Sequence, residues 1–532
     1  MMLSKKLFIA ILTTYFIHGQ CSFFRKLKVE DNSGINTNGI KGGISPAVIK
    51  GYKIFNEASG ENILVKGVDY YPRPNKGVLN VNSVDYFTEE HRHIWERDIS
   101  QFKALGINAI RLYAVDPAQD HSAFMCALNK ARIYVMVELA SACPTCAVTR
   151  DEAPKCYPNE LKTRGEKVIR EFSKYTNTLA FSAGNEVNHF VPLGKPPQWN
   201  APCLKKFIRD MRAFARHCES AQMRHVPIGL IMADSDRDIN TLYYNCQSDP
   251  NDELEHAEWY GINTYVACNG AATKIQDSVG FTSLKESFEK YKYSIPVLLT
   301  EFGCLSSTFP LIDGYEAQRT FNQASWMDLP QIQDVFAGGF AFEYSIESAI
   351  AQTPFPFKEF GQANYGIGYF SPKDCDDVKV MCEYNRTPAF YNLKKAYAHD
   401  QHNQTVTLNN FVPKESRTGR TKCPAQFPPL HSFEWSVDSV VSISCPLARD
   451  SEWTCPPHES SIITSLSSFL IMAILVGFTS ALIGTLTNFK GIATRNLRPF
   501  PLCNWKRQES SKEENDPLVA RNEVESAYKA VE

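Results

Sequence analysis

Two glutamates, Glu186 and Glu301, follow short apolar segments and could face a common substrate. Glu186 lies in the run Ala-Gly-Asn-Glu-Val, and Glu301 lies in the run Leu-Thr-Glu-Phe-Gly-Cys. Two carboxyl groups about 5 Å apart can break a glycosidic bond with retention, because one protonates the departing oxygen while the other attacks the anomeric carbon. Repulsion between like charges separates their pKa values, so one group stays protonated and the other ionised.

Either glutamate alone would ordinarily be a solvated acid at the start of a loop. The two placements together favour catalysis, and Asn185 directly precedes Glu186. An amide at that position can bond the 2-hydroxyl of a sugar, a contact that strengthens in the transition state. We therefore predict that Glu186 and Glu301 are the catalytic carboxylates of a retaining carbohydrase.

Eight short apolar runs indicate the strands that would position these residues. The runs are nearly continuous rather than alternating, which is typical of strands buried on both faces of a parallel sheet. Glu186 follows the fourth run and Glu301 follows the seventh. The runs cover residues 63–69, 109–113, 133–138, 179–183, 228–233, 259–263, 297–300 and 338–342.

Amphipathic segments between these runs predict helices at residues 95–105, 121–131, 163–175, 203–220 and 283–291. Gly106 follows the first of them, where a glycine often ends a helix. Strands alternating with helices over residues 45–400 predict an α/β fold, a (β/α)8 TIM barrel, whose active site lies at the carboxyl ends of the strands. A doubly wound open sheet is the alternative, but no glycine-rich phosphate loop follows an early strand.

The two ends of the chain carry apolar segments that predict targeting. Two lysines and a short apolar run indicate a signal peptide at residues 1–22. Residues 462–487 hold no charged side chain, which predicts a transmembrane helix at 461–488. Basic residues follow it before any acid, so we expect a cytoplasmic tail at 489–532. The catalytic domain would then be extracellular, on a single-pass type I protein at the cell surface. Two glycosylation sequons, at Asn385 and Asn403, agree with that location.

Sixteen cysteines in a secreted chain favour disulfides. Without Cys21 at the predicted cleavage site and Cys503 in the predicted tail, fourteen remain, and an even number can all be paired. Cys143 and Cys146 form a CxxC pair, which in a secreted chain is usually disulfide-bonded rather than zinc-binding or redox-active. Residues 401–460 contain Pro, Ser and Cys without periodicity, and we interpret them as a stalk or small appendage.

Six runs occur in order along about 300 residues: Gly67-Val68-Asp69-Tyr70, Ile110-Arg111-Leu112-Tyr113-Ala114, Asp120-His121-Ser122, Ala183-Gly184-Asn185-Glu186-Val187, Tyr260-Gly261-Ile262-Asn263-Thr264-Tyr265 and Glu301-Phe302-Gly303-Cys304. Together they resemble one family, the cell-wall β-1,3-glucanosyltransferases of glycoside hydrolase family 72, which belong to the clan A glycosidases. The resemblance implies that Glu186 is the acid/base and Glu301 the nucleophile. It also implies that glucan contacts Tyr113, Asn185, Asp234, Arg237, Tyr265, Tyr70 and Tyr344.

The same resemblance suggests some disulfides and shows departures. It implies a Cys268–Cys304 bridge and a bridge from Cys246 to Cys375 or Cys382. The family has a cysteine where this chain has Trp95, so Cys126 is expected to pair with Cys143, Cys146 or Cys156. The run from Phe342 to Glu347 is only loosely similar to the aromatic-acidic run of the family.

Three functions fit these observations. The first is a glucanosyltransferase that cleaves and re-ligates β-1,3-glucan, and the second is an endo-β-glucanase that uses the same carboxylates with water. The third is a catalytically idle glucan-binding receptor. A net charge of −2 gives no reason to expect a nucleic acid partner. We expect no cofactor and no metal, and a membrane attachment through the C-terminal helix.

Overall fold

A closed barrel of parallel strands forms the centre of this chain. The computed structural model describes residues 43–399, 405–447 and 455. A hairpin of β1 (Ala47–Lys50) and β2 (Lys53–Asn56) precedes the barrel. The eight barrel strands are β3 (Val65–Asp69), β4 (Ala109–Leu112), β5 (Tyr134–Glu138), β6 (Thr178–Asn185), β7 (Ile228–Ala233), β8 (Tyr260–Asn263), β9 (Val297–Phe302) and β10 (Gly338–Ala341). Strand β10 closes the barrel by pairing with both β3 and β9.

The barrel confirms the (β/α)8 prediction, and each of the eight predicted strands overlaps one barrel strand. Strands β4, β5, β7, β8, β9 and β10 are buried along their whole length. Burial on both faces explains why their sequences are continuously apolar. A doubly wound fold would have left two open edges, and closure of the sheet excludes it.

Helices follow the strands, and their apolar side chains share one core with the outer faces of the barrel. All five predicted helices are present. Gly106 has a left-handed conformation (φ 79°) after the first helix, and its N–H donates to the carbonyl oxygens of Phe102 and Lys103, as expected for a helix end. The helices are α1 (Arg92–Leu105), α2 (Ser122–Lys130), α3 (Asn159–Phe172), α4 (Ala201–Glu219), α5 (Arg237–Tyr244), α6 (Val279–Tyr291), α7 (Asn322–Met327), α8 (Pro330–Gln333) and α9 (Pro388–Tyr397). Of these, the five predicted from the sequence are α1, α2, α3, α4 and α6.

Some short elements were not predicted from the sequence. They include the β1–β2 hairpin and a second antiparallel hairpin of β11 (Gly368–Ser371) and β12 (Glu383–Arg386). Each strand has four residues, and β12 has no buried residue. Strands this short, with exposed or half-buried positions, give little hydrophobic periodicity.

Seven disulfides pair the fourteen remaining cysteines, as the even number allows. The expected Cys268–Cys304 bridge and the bond within the CxxC pair are confirmed. The partners expected for Cys126 and Cys246 are wrong. The bonds are Cys126–Cys455, Cys143–Cys146, Cys156–Cys203, Cys218–Cys445, Cys246–Cys423, Cys268–Cys304 and Cys375–Cys382.

The reason for the two wrong pairings is the path of the segment after residue 405, which runs back along the barrel. Phe427 stacks on Tyr243 with ring centroids 3.9 Å apart. Lys162 on α3 donates to the carbonyl oxygens of Val437 and Val440 at 3.0 and 2.8 Å. These contacts bring distant cysteines of the segment to cysteines of the barrel helices, a proximity that no local sequence pattern encodes.

No helix in residues 43–399 and 405–447 is long and apolar enough to cross a membrane. The predicted signal peptide (residues 1–22), transmembrane helix (461–488) and cytoplasmic tail (489–532) all lie outside the described residues.

Candidate functional site

Glu186 and Glu301 lie at the carboxyl end of the barrel, where β6 and β9 end. Glu186 directly follows β6 in a left-handed conformation (φ 50°), and its N–H donates to the carbonyl oxygen of Ile231 at 2.9 Å. Glu301 is the penultimate residue of β9 and is 7% exposed. Asn263, the last residue of β8, is in register with Glu301 and lies between the two glutamate-bearing strands.

Three side chains donate to the carboxylate of Glu301. Arg111 Nη1 lies 2.9 Å from Oε1, and the hydroxyl of Tyr113 donates to the same oxygen at 3.0 Å. The hydroxyl of Tyr265 donates to Oε2 at 2.8 Å. Both oxygens of Glu301 are therefore fixed in position, and charge-assisted bonds of this kind are the stronger ones in proteins.

Arg111 also contacts two further buried acids. Its Nη1 lies 3.2 Å from Asp69 at the end of β3, and its Nη2 lies 3.7 Å from Glu138 at the end of β5. Burial raises the pKa of Asp69 well above its ordinary value, and it raises the pKa of Glu138 to about 7, although Arg111 opposes both shifts. One guanidinium thus faces three carboxyl groups, including Glu301.

Two amides connect this cluster to Glu186. Asn263 Nδ2 lies 2.9 Å from Glu186 Oε1 and 3.1 Å from Asn185 Oδ1. Asn185 Oδ1 also accepts from Arg111 Nη2 at 2.9 Å. The second carboxylate oxygen of Glu186 lies 3.2 Å from Nδ1 of His189. Five residues of the site were not predicted from the sequence: Arg111, Asp69, Glu138, Asn263 and His189. The first four could have been predicted, since each ends or nearly ends a strand of the barrel.

The pKa shifts of the two glutamates are opposite in sign. Burial raises the pKa of Glu186, but hydrogen bonds from His189 and Asn263 outweigh it and the pKa is lowered. Burial raises the pKa of Glu301; Arg111 opposes that shift and the Glu186 carboxylate adds to it, so the net shift is upward. This order is the reverse of the one expected for a protonated Glu186 beside an ionised Glu301.

Asp234 and Arg237 form a separate ion pair at the same end of the barrel. Asp234 follows β7 directly, and Arg237 begins α5. Arg237 bonds both oxygens of Asp234 at 2.6 Å, and the hydroxyl of Thr264 donates to Asp234 Oδ2 at 2.6 Å. The pair lies one strand beyond Glu186 in the barrel order.

Tyr70 and Tyr344 lie in the core and not with the carboxylates. Both rings are fully buried, and both hydroxyls donate to Asp98 on α1 at 2.9 Å. The place of Tyr70 follows from the pleat of the strand, because Tyr70 comes directly after Asp69, and neighbouring residues of an extended chain point to opposite faces. Asp69 points to Arg111, so Tyr70 points outward to the helix.

No group of three or more His, Cys, Asp or Glu side chains among the described residues is arranged to hold a metal ion. The three acids Asp69, Glu138 and Glu301 have the guanidinium of Arg111 as their common cation. The arrangement provides two carboxyl groups on separate strands, one with three donors and one beside a histidine. Such a pair can carry out acid–base and nucleophilic chemistry on a glycosidic bond.

This chain is similar to known proteins of one family. The sequence model of a family described as Glucanosyltransferase matches residues 37–350. The 1,3-beta-glucanosyltransferase GAS5 of Saccharomyces cerevisiae is 30% identical over 352 residues, which cover 66% of this chain and 61% of GAS5. The 1,3-beta-glucanosyltransferase gel1 of Aspergillus fumigatus is 27% identical over 399 residues, which cover 74% of this chain and 73% of gel1.

A solved structure is also similar to this chain. The structure of Saccharomyces cerevisiae Gas2p in complex with laminaripentaose matches with a TM-score of 0.54 and 26% sequence identity, covering 72% of this chain and 74% of that chain. The match to GAS5 spans about three fifths of the length of that relative.

Proposed function

This chain belongs to the glucanosyltransferase family, and we propose that it is a retaining β-1,3-glucanosyltransferase that cleaves and re-ligates β-1,3-glucan in remodelling of a cell wall. The observation that carries the proposal is the setting of Glu301. Its two carboxylate oxygens receive bonds from Arg111, Tyr113 and Tyr265. A nucleophile must be held in one orientation and must regain its negative charge when the glycosyl group leaves, and these donors serve both needs.

In the first step Glu301 attacks the anomeric carbon of a glucosyl unit, and Glu186 gives its proton to the oxygen of the departing glucan. The product is a covalent glucosyl-enzyme with inverted configuration. Asn185 supports this step, because its carbonyl oxygen accepts from Arg111 and Asn263, which leaves its NH2 group to donate to the 2-hydroxyl of the sugar.

In the second step Glu186 is a general base. It takes the proton of an incoming sugar hydroxyl, whose oxygen attacks the anomeric carbon and releases the carboxylate of Glu301. The second inversion restores the β configuration and joins the two glucan chains. Tyr113 and Tyr265, whose hydroxyls bond Glu301, would present their rings to the sugars, and the Asp234–Arg237 pair would contact the glucan one strand further along the barrel.

An endo-β-glucanase would use the same residues and differ only in the acceptor, which would be water. A catalytically idle receptor would have no need for three donors on one buried carboxylate. The family membership favours transfer over both alternatives.

The location of the enzyme is part of the proposal. The uncharged segment at residues 462–487 and the basic residues after it support attachment to the plasma membrane with the barrel outside the cell. Seven disulfides support an oxidising environment for the barrel.

The test is incubation of the purified full-length chain with reduced laminari-oligosaccharides of one length, followed by mass spectrometry. Products longer than the starting chain are the expected result and require transfer. Shorter products alone would make the enzyme a hydrolase. Binding of the oligosaccharide without any new product would favour the receptor.

A further inference from the structure

His189 is held against Glu186 by the backbone that follows β6. The residues Val187–Phe190 form one 3-10 turn that starts directly after Glu186. The backbone N–H of His189 donates to the carbonyl oxygen of Glu186 at 2.8 Å. This turn brings the imidazole Nδ1 to 3.2 Å from Glu186 Oε2. The ring is 44% exposed, so it exchanges protons freely with solvent.

The other titratable groups that face Glu186 come from different strands. The carboxylate of Glu301 on β9 repels that of Glu186, and the guanidinium of Arg111 on β4 attracts it. The third group is Tyr265, which follows β8. Asn263 donates a hydrogen bond to Oε1 of Glu186, but it cannot transfer that proton, because an amide does not titrate in this range. Among these groups only His189 can both touch the Glu186 carboxylate and exchange a proton with it near neutral pH.

We propose that His189 is a positioning residue that shares a single proton with Glu186, so that the pair, rather than Glu186 alone, holds the proton for the departing glucan. The inference rests on the proposed function. The proton moves from His189 Nδ1 to Glu186 Oε2, the carboxylic acid gives it to the glycosidic oxygen, and the neutral imidazole remains. In the second step Glu186 takes the proton of the acceptor hydroxyl and shares it again with His189.

A shared proton explains how a carboxyl group with a lowered pKa can be the acid of this reaction. When two groups share one proton, the pair releases it at an apparent pKa of its own. That apparent pKa is at least as high as the pKa that either group has while its partner is deprotonated. The pKa of His189 is raised by the hydrogen bond to Glu186. The pair therefore keeps a proton to a higher pH than Glu186 would keep one alone.

The experiment compares the full-length wild type with His189→Asn, which retains a hydrogen-bond donor and does not titrate. The alkaline limb of the pH profile of kcat/KM on laminari-oligosaccharides should move to lower pH by about one unit, with the acid limb unchanged. His217→Asn, a change at an exposed histidine on α4, is the matched control and should leave the profile in place.

A second measurement is independent of activity. In protein with 13C-labelled histidine, NMR titration should give His189 a raised pKa in the wild type and a value near 6.5 in Glu186→Gln. The proposal is overturned if the limb of His189→Asn coincides with that of the wild type, or if the imidazole pKa is the same with and without the carboxylate. If the wild type has no activity on glucan, the proposed function fails while the titration still decides whether the proton is shared.

Discussion

Glu138 should make the enzyme less stable as the pH rises, and Glu138→Gln should remove that loss. Glu138 ends β5, is 5% exposed, and has Arg111 Nη2 at 3.7 Å as its nearby cation. Burial raises its pKa to about 7, against an ordinary value of 4.5, with Arg111 opposing the shift and Glu301 adding to it. Glutamine has the same shape as the protonated acid, so the substitution mimics the form that is present at low pH.

The magnitude follows from linkage between protonation and folding. Between pH 4.5 and 7 the unfolded chain has an ionised Glu138 while the folded chain keeps the proton, so the free energy of unfolding falls as the pH rises. A difference of about two and a half pKa units corresponds to a loss of about 3 kcal/mol. Below pH 4.5 the wild type and the variant should be about equally stable. Above pH 7.5 the variant should be the more stable by about 3 kcal/mol.

The assay is guanidinium unfolding with the disulfides intact, at pH 4.5, 6 and 8, for wild type, Glu138→Gln and Glu160→Gln. Glu160 is exposed at the start of α3, so its variant controls for the loss of one negative charge in water. A difference between wild type and Glu138→Gln that stays constant across this range would refute the reasoning. It would mean that Arg111 keeps Glu138 ionised in the folded protein.

Three further outcomes are expected. Tyr265→Phe removes the hydrogen bond to Glu301, which contributes about 1.5–3 kcal/mol. The variant should lower kcat/KM about 10- to 100-fold in oligosaccharide assays, with the free energy of unfolding nearly unchanged. Tyr344→Phe removes a bond to buried Asp98 and should cost about 2 kcal/mol in guanidinium unfolding while kcat stays the same. Burial lowers the pKa of His121, but hydrogen bonds to the carboxylates of Asp85 and Glu171 raise it to about 9. The pKa of His121 is higher in the folded than in the unfolded chain, so the stability that it contributes is complete below pH 6.5 and is lost toward pH 9. His121→Gln should therefore lower the free energy of unfolding by about 3 kcal/mol at pH 6 and by little at pH 9.5.

The barrel could be predicted from the sequence because its strands are buried on both faces. Each strand is then a short, continuously apolar run, and a residue that ends such a run lies at the active-site edge of the barrel. Glu186 and Glu301 were recognisable for this reason. Asp69 and Glu138 end runs in the same way, and the same rule would have placed them at that edge.

Other features depend on information that is not local. The assignment of Tyr70 to the substrate came from a motif that includes both Asp69 and Tyr70, although the pleat turns these two side chains to opposite faces. The bond of Cys246 to Cys423 joins residues 177 positions apart, and it depends on the path of the segment after residue 405 along the barrel. The lowered pKa of Glu186 depends on the hydrogen bond from His189. His189 reaches the Glu186 carboxylate through a turn that starts with the left-handed backbone at Glu186.

The central claim is that Glu301 is the nucleophile and Glu186 the acid/base, and chemical rescue with azide tests it most directly. The full-length Glu301→Gly and Glu186→Gly variants would each be given an aryl β-laminari-oligosaccharide, whose leaving group needs no acid, together with azide. The account predicts an α-glycosyl azide from Glu301→Gly, since azide replaces the nucleophile and inverts once. It predicts a β-glycosyl azide from Glu186→Gly, since azide then attacks the covalent intermediate. A β-azide from Glu301→Gly, or an α-azide from Glu186→Gly, would contradict the assignment.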